Sequence, residues 1–323
     1  MPLVSVIIPT YNRADLIGET IHSVLEQTFD DIEIVVADDG STDGTEETLA
    51  GFGDRLRYVR QENRRHDGAI RNLGIAASTG KYLAFVDSDD LWAPSKLEKQ
   101  IALFHENPQF GMVYSDAWCF DGETGITKYL FHQLRKPHMG WIASSLLDGN
   151  FIPTSSVLIQ RKVIETVGLF NEDTLLHLRS DWEMWLRVAA RFQVGLVSEP
   201  LFGYRLHRDN STRLEDPLLY LRSHLCVLRH ACSFAPEIYA TILQRAIAKQ
   251  YLHTGGMCVA TDRVSVARSM YAQAILCDPA EASAYAFLLA TLGGSRLAGY
   301  LARVYDWRRR RHSSRVPLDD QSS

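Results

Sequence analysis

The first ninety residues alternate between two kinds of apolar pattern. LVSVIIPTY (Leu3–Tyr11), the run Ile32–Ala37, LRYVRQ and KYLAFVDSD are short, continuous and rich in β-branched or aromatic residues. Such runs mark strands covered on both faces. Between them apolar residues recur at helical spacing. Leu16, Ile17, Ile21, Val24 and Leu25 share one stripe, a short helix is expected at Glu46–Gly51, and DGAIRNLGIAAS is another helix. This rhythm predicts an α/β fold: a doubly wound, mainly parallel sheet flanked by helices, with right-handed crossovers. Ligands of such sheets bind beyond the carboxyl ends of the strands. The polar clusters fall at those ends: TYNR after the first strand, DDGSTDGT after the second, DSDD after the fourth.

The last cluster sets Asp87, Asp89 and Asp90 within four residues. Two unit charges ~4 Å apart repel by about 4 kcal/mol at an effective dielectric of ~20. A bound cation or full solvation has to offset that. Hard cations such as Mg²⁺ or Mn²⁺ take carboxylate oxygens and bridge them to phosphates. Asp90 is expected to cap the following helix.

Further along, a helix is expected between Pro94 and Pro108, a strand over FGMVYSDAWCFD, and a strand with a short helix over TSSVLIQRKVIETVGLF. Residues 128–150 show no clear period. Arg179–Phe192 form an amphipathic helix with Trp182, Trp185, Leu186 and Ala189 inward. A strand and a basic, hydroxyl-rich loop follow. After about Ser211 strand signals vanish and helical periodicity dominates, with ARSMYAQAILCDP similar to one tetratricopeptide-type unit.

The net charge of -5 and pI near 6.1 leave no nucleic-acid footprint. Five scattered cysteines without a C-x-x-C pair read as reduced thiols of a cytosolic protein. The start has no basic leader region, and no apolar run approaches the ~20 residues of a membrane span. A soluble, cytoplasmic protein is expected.

VSVIIPTYNR, ADDGSTDGT, AIRNLGI, FVDSDD and SDWEMWLR follow one another in an order that resembles glycosyltransferase family 2, over roughly residues 3–210. These are inverting nucleotide-sugar transferases of the GT-A fold. The resemblance implies a catalytic domain at 1–210, followed by a helical region at 211–306 outside it and a basic tail at 307–323, expected to be disordered. It implies a UDP- or dTDP-sugar donor, a carbohydrate or lipid-linked acceptor, and Mg²⁺ or Mn²⁺. Asp89 would bind the metal, with Asp87 near the ribose or metal. Asp39 would accept from the N3–H of a uracil or thymine ring, with Asp38 in the same pocket and Pro9, Thr10 and Tyr11 as its other wall. Arg71 would lie near the nucleotide, and Arg205 and His207 near the diphosphate or metal. Asp181 would be the catalytic base, with Glu183 a weaker candidate. Two departures stand out: the loop before the third helix is NRRHDG instead of Gly-rich, and Ser180-Asp181 stands where the family more often has Glu-Asp.

The simpler reading leaves Asp181 as a helix cap, Tyr11 and both tryptophans as packing, Arg71 in a surface ion pair and the basic tail solvated; alternatively Arg308–Arg311 contact anionic lipid at the inner face of the membrane. Two other functions compete with this one. A nucleotidyltransferase would show a glycine run near the N-terminus, which IIPTYNR lacks. A phospho-receiver-like, Mg²⁺-binding module would need a short domain and a lysine across from the acid pocket.

Overall fold

The computed structural model describes residues 2–207 and 216–293. In chain order come β1 (Val4–Thr10), α1 (Ile17–Leu25), β2 (Ile32–Asp38), α2 (Thr45–Ala50), β3 (Arg57–Arg60), α3 (Asp67–Ala77) and β4 (Tyr82–Phe85). Next are β5 (Leu91–Trp92), α4 (Lys96–Glu106), β6 (Phe110–Asp121), β7 (Thr127–Leu130), α5 (Ala143–Leu147), β8 (Leu158–Gln160), α6 (Arg161–Val167), α7 (Ser180–Arg191) and β9 (Gln193–Leu206). Four helices close the described chain: α8 (Pro217–Phe234), α9 (Pro236–Ala260), α10 (Val264–Cys277) and α11 (Ala282–Leu292).

One sheet runs β3-β2-β1-β4-β8-β6-β9-β5, with β7 paired to β6. Pairings among β3, β2, β1 and β4 are all parallel. Beyond β4 the sheet is mixed: β8 is antiparallel to both β4 and β6, β6 and β9 run parallel, and β5 closes the edge antiparallel to β9. Strand order reverses at β1, since β2 lies on one side and β4 on the other. That reversal opens a crevice at the carboxyl ends.

The alternation of β1 explains why the run is apolar throughout. Ile7 enters the core beneath α3 and α7, while Val4, Val6 and Ile8 enter the opposite core beneath α1 and α4. α3 seats so closely on β1 that a Cβ at Gly74 would stand 2.5 Å from Ile7 Cγ2. Trp182 and Trp185 are fully buried, as their helical spacing predicts. The core around α7 continues through Val227 and Leu228 of α8 to Tyr239 and Ala246 of α9, so these helices pack on α5 and α7, which belong to the same core as the sheet. A third core joins α9, α10 and α11. All five cysteines are free thiols.

Asp90 does not cap a helix. It leads into β5, and α4 begins at Lys96. Two residues of strand are too short to leave a pattern, which is why the sequence suggested a helix start instead. No described helix is long and apolar enough to cross a membrane. The basic tail expected at 307–323 lies outside the described residues.

Candidate active site

A cleft of about 590 Å³ opens at the carboxyl ends of β1, β2 and β4, closed on the far side by residues 153–155 and by the start of α7. Its size suits a small-molecule ligand. Two loops form one wall. The N–H of Asn12 donates to Ser41 Oγ at 2.9 Å, and Thr42 N–H donates to Asn12 Oδ1 at 2.8 Å. TYNR and DDGST are thereby stitched together. Gly40, at φ +79°, permits the tight turn between them; a Cβ there would lie 2.9 Å from the Asn63 nitrogen.

Of the two adjacent aspartates, only Asp39 lines the cleft. Its Oδ1 accepts from Gln61 Nε2 at 2.7 Å and Arg64 N at 3.0 Å, and its Oδ2 from Arg65 N at 3.0 Å. Oδ2 retains room for a further donor. Asp38 is fully buried and turned inward, accepting from Ser41 N and Oγ (2.9 and 2.6 Å) and from Tyr58 OH at 2.7 Å. Burial and then this acceptor push the Tyr58 phenol up to about 12. Asp38 therefore shapes the pocket from beneath and does not line it. Pro9, Thr10 and Tyr11 line the cleft, and the Tyr11 ring is exposed to it. Thr10 Oγ1 is buried without a hydrogen-bond partner, as is Arg71 Nε. Orphaned polar atoms call for an explanation, and a ligand in the cleft they border is one.

The acidic cluster is only partly solvated and is not left to self-repulsion. Asp87 pairs with Arg71 Nη2 at 3.2 Å. Asp90 is buried and accepts from Ser155 Oγ at 2.6 Å and Arg205 N at 3.1 Å. Ser155 Oγ also accepts the Asp87 N–H at 3.0 Å, so one serine orders two of the acids. Asp89 sits 2.9 Å from His207 Nε2 and 3.7 Å from Arg13 Nε. Burial raises Asp87 above the ordinary carboxylate range against the pull of Arg71, with Asp89 adding to the rise. Burial, then Asp89 and Asp87, lift Asp90 further.

Arg205 does not line the cleft. Its guanidinium donates to the Asp89 carbonyl at 2.7 Å and to Glu19 at 2.6 Å, over the ring of Phe120. It braces the backbone that carries Asp89. His207 faces Asp89 directly.

Asp181 is no N-cap, because α7 begins one residue earlier and Arg179 holds the cap position. The carboxylate lines the cleft and accepts from Asn150 Nδ2 at 2.9 Å, Thr154 Oγ1 at 3.3 Å and its neighbour's N–H at 2.7 Å. Burial pushes it up to about 6, against the pull of Arg71. Glu183, the other candidate base, points away from the cleft into a buried pair with Arg187 (2.8 Å). Arg71 is buried, not a surface residue, and its other partner is Asp67 at 2.7 Å.

Asp67, Asn150, Thr154 and Ser155 were absent from the sequence-based site. They are single polar residues at the ends of elements, Asp67 at the start of α3 and Thr154 and Ser155 just before β8, or, for Asn150, in a stretch without a period. The signal available for Asp38 against Asp39 was strand alternation, since neighbours on a strand point to opposite faces.

The sequence model described as glycosyl transferase family 2 matches residues 5–168. TuaG of Bacillus subtilis, named for teichuronic acid biosynthesis, is 41% identical over 210 residues, 64% of this chain and 79% of that protein. A glycosyltransferase of Rickettsia felis is 31% identical over 217 residues, 66% of this chain, but the chain spans only 35% of that relative's length. Among solved structures, S. aureus TarS 1-349 in complex with UDP-GlcNAc superposes with a TM-score of 0.62 at 16% identity, covering 98% of this chain and 94% of that one. That likeness carries the GT-A fold. The chain belongs to glycosyl transferase family 2.

Proposed function

We propose that the protein is an inverting glycosyltransferase that moves a sugar from a UDP- or dTDP-sugar to an acceptor hydroxyl. One observation carries the reading: a single cleft gathers Asp39, the Asp87–Asp89 pair and a carboxylate raised to about 6, Asp181, from three separate segments. Asp39 offers a lone pair of Oδ2 to a ring N–H, with Tyr11 and Thr10 beside it on the same wall. Arg71 and Asp87 border the ribose and diphosphate.

Asp89 and His207 would hold the cation. The carboxylate oxygens of Asp89 and of Asp87 two residues before it suit Mg²⁺ or Mn²⁺, and the His207 imidazole nitrogen 2.9 Å from Asp89 favours Mn²⁺ of the two. A bound cation supplies neutralisation of the charge on the departing diphosphate. The chain's own residues do the rest. Asp181 takes the proton of the acceptor hydroxyl as its oxygen bonds to the anomeric carbon, and the bond from that carbon to the diphosphate oxygen breaks on the opposite face. A base near pH 6 is ionised at neutral pH yet basic enough to accept that proton. Asn150 and Thr154 hold the carboxylate by its other lone pairs.

The alternatives have less support. The receiver-like reading needs a lysine facing the acids, but Lys96 is buried against Trp92 and Gln100, and among the described residues no lysine lines the cleft. The likeness to a protein named for teichuronic acid biosynthesis supports a role in cell-surface polysaccharide assembly, on the cytoplasmic side, with a lipid-linked or carbohydrate acceptor. Contact with the membrane through the tail 307–323 belongs to the same proposal. A thermal-shift panel of nucleotide sugars with Mn²⁺ tests it: a native-state ligand raises stability. Uridine or thymidine derivatives raising Tm above guanosine and adenosine ones support the reading; an equal response to all four contradicts it.

A further inference from the structure

Asp67 opens α3 and lies between the two halves of the cleft. Its Oδ2 accepts from Arg71 Nη1 and from Ser180 Oγ, each at 2.7 Å. Its Oδ1 accepts the backbone N–H of Leu178 at 3.2 Å. The two directions lead to different chemistry. Arg71 continues to Asp87, on the nucleotide side. Leu178 and Ser180 start α7, which carries Asp181.

Leu178 has φ +64°, a left-handed backbone that a leucine adopts only under constraint. Such strain persists where surrounding groups over-determine it, and it collects at functional sites. Here the strained turn lies three residues before the proposed base, and Asp67 holds its N–H. Sequence adds a second point: position 180 is a serine, so the buried guanidinium of Arg71 takes its closest counter-charge from α3 instead of from α7.

We propose that Asp67 is a positioning residue for the transfer reaction. Its single carboxylate ties Arg71 and Asp87 on the donor side to the Leu178–Ser180 turn on the acceptor side, and so fixes where Asp181 stands relative to the anomeric carbon. The inference rests on Asp181 being the base. Small misplacements of a catalytic group cost on the order of 100-fold in rate.

The charged groups facing Asp181 are Arg71 and Asp67 from α3 and Arg179 from the turn before α7; Asn150 and Thr154 are neutral donors. Removing the Asp67 charge leaves Arg71 less neutralised, so Asp181 ionises at lower pH. A carboxylate moved to position 180 would still reach Arg71, because Ser180 Oγ already stands 3.4 Å from Arg71 Nη1.

Wild type, Asp67→Asn and the double variant Asp67→Asn/Ser180→Asp are compared in two ways: UDP release from UDP-sugars with Mn²⁺ across pH, and ¹³C NMR titration of the Asp181 carboxyl. Asp67→Asn is expected to lose on the order of 100-fold in kcat with donor KM within about threefold, the signature of an interaction realised in the transition state. The acidic limb of the rate and the Asp181 titration both move to lower pH, and the double variant regains at least about tenfold in kcat. A merely structural role would lower Tm without moving the titration. Wild-type kcat with an unmoved titration in Asp67→Asn overturns the inference. So does a folded double variant that recovers nothing; this variant also decides the matter if Asp67→Asn alone does not fold. If wild type releases UDP from no donor, the glycosyltransferase reading fails separately, and the carboxyl titration alone judges Asp67.

Discussion

Replacing Asp181 by asparagine should give a protein that is inactive and more stable. The carboxyl is lifted from 3.8 to about 6 by burial. One pH unit corresponds to about 1.4 kcal/mol, so ionising this group takes up to about 3 kcal/mol from the fold. The sign follows from linkage. A carboxyl raised in the folded state keeps its full contribution below 3.8, and that contribution is lost as pH rises to about 6. At pH 8 the loss is complete, and Asp181→Asn removes it. Against this, the new amide faces Asn150 Nδ2 and gives up an acceptor, a loss of about 1 kcal/mol. Solvent reaching the cleft screens part of the gain. The net expectation is about 1–2 kcal/mol of stabilisation at pH 8, a Tm rise of a few degrees. At pH 4 the gain disappears. Turnover falls by on the order of 10²–10⁴ above pH ~6, and the gap to wild type narrows below it as the wild-type base protonates. In wild type, kcat/KM drops about tenfold per pH unit below ~6, whereas an unshifted aspartate would hold the rate to ~4. Calorimetric melting at both pH values with a UDP-release assay checks all of this. An Asp181→Asn protein that turns over normally, or that melts lower at pH 8 than at pH 4 relative to wild type, refutes the reasoning.

Other positions give independent outcomes. Gly40→Ala puts a Cβ 2.9 Å from the Asn63 nitrogen at a φ of +79°, so it should lose about 1–3 kcal/mol and weaken UDP binding together; unchanged calorimetric affinity would separate this turn from the pocket. Tyr58→Phe removes one of the donors to buried Asp38 and should lower stability by about 1–3 kcal/mol in urea melts, with kcat nearly unaffected because Asp38 does not line the cleft. Lys96→Met should raise Tm at pH 7. Burial holds the Lys96 amine well below its usual range, so its burden on the fold is present at neutral pH and fades only as pH approaches 10.5; a fall in Tm at pH 7 would contradict this.

The βαβ rhythm and the order of motifs were legible because buried parallel strands must be apolar on both faces, as β1 is. The second half of the sheet was not. β5 and β8 have two and three residues, and β8 reverses direction between β4 and β6, which no local pattern encodes. At the site, aspartates at strand ends were found by type and place. Their supports were not: Asn150, Thr154 and Ser155 are polar residues far along the chain that meet Asp87, Asp90 and Asp181 only after folding. Asp90 illustrates the gap. Its sequence context fits a cap, yet the folded chain buries it under Ser155 and Arg205.

The central claim is that carboxylates at these strand ends grip a nucleotide diphosphate through one cation, and titration calorimetry of UDP with and without Mn²⁺ tests it most directly. Wild type should bind UDP markedly tighter with Mn²⁺, and Asp89→Ala should lose that enhancement while keeping its melting transition. Equal UDP affinity with and without the metal, or an Asp89→Ala protein as responsive to Mn²⁺ as wild type, would contradict the account.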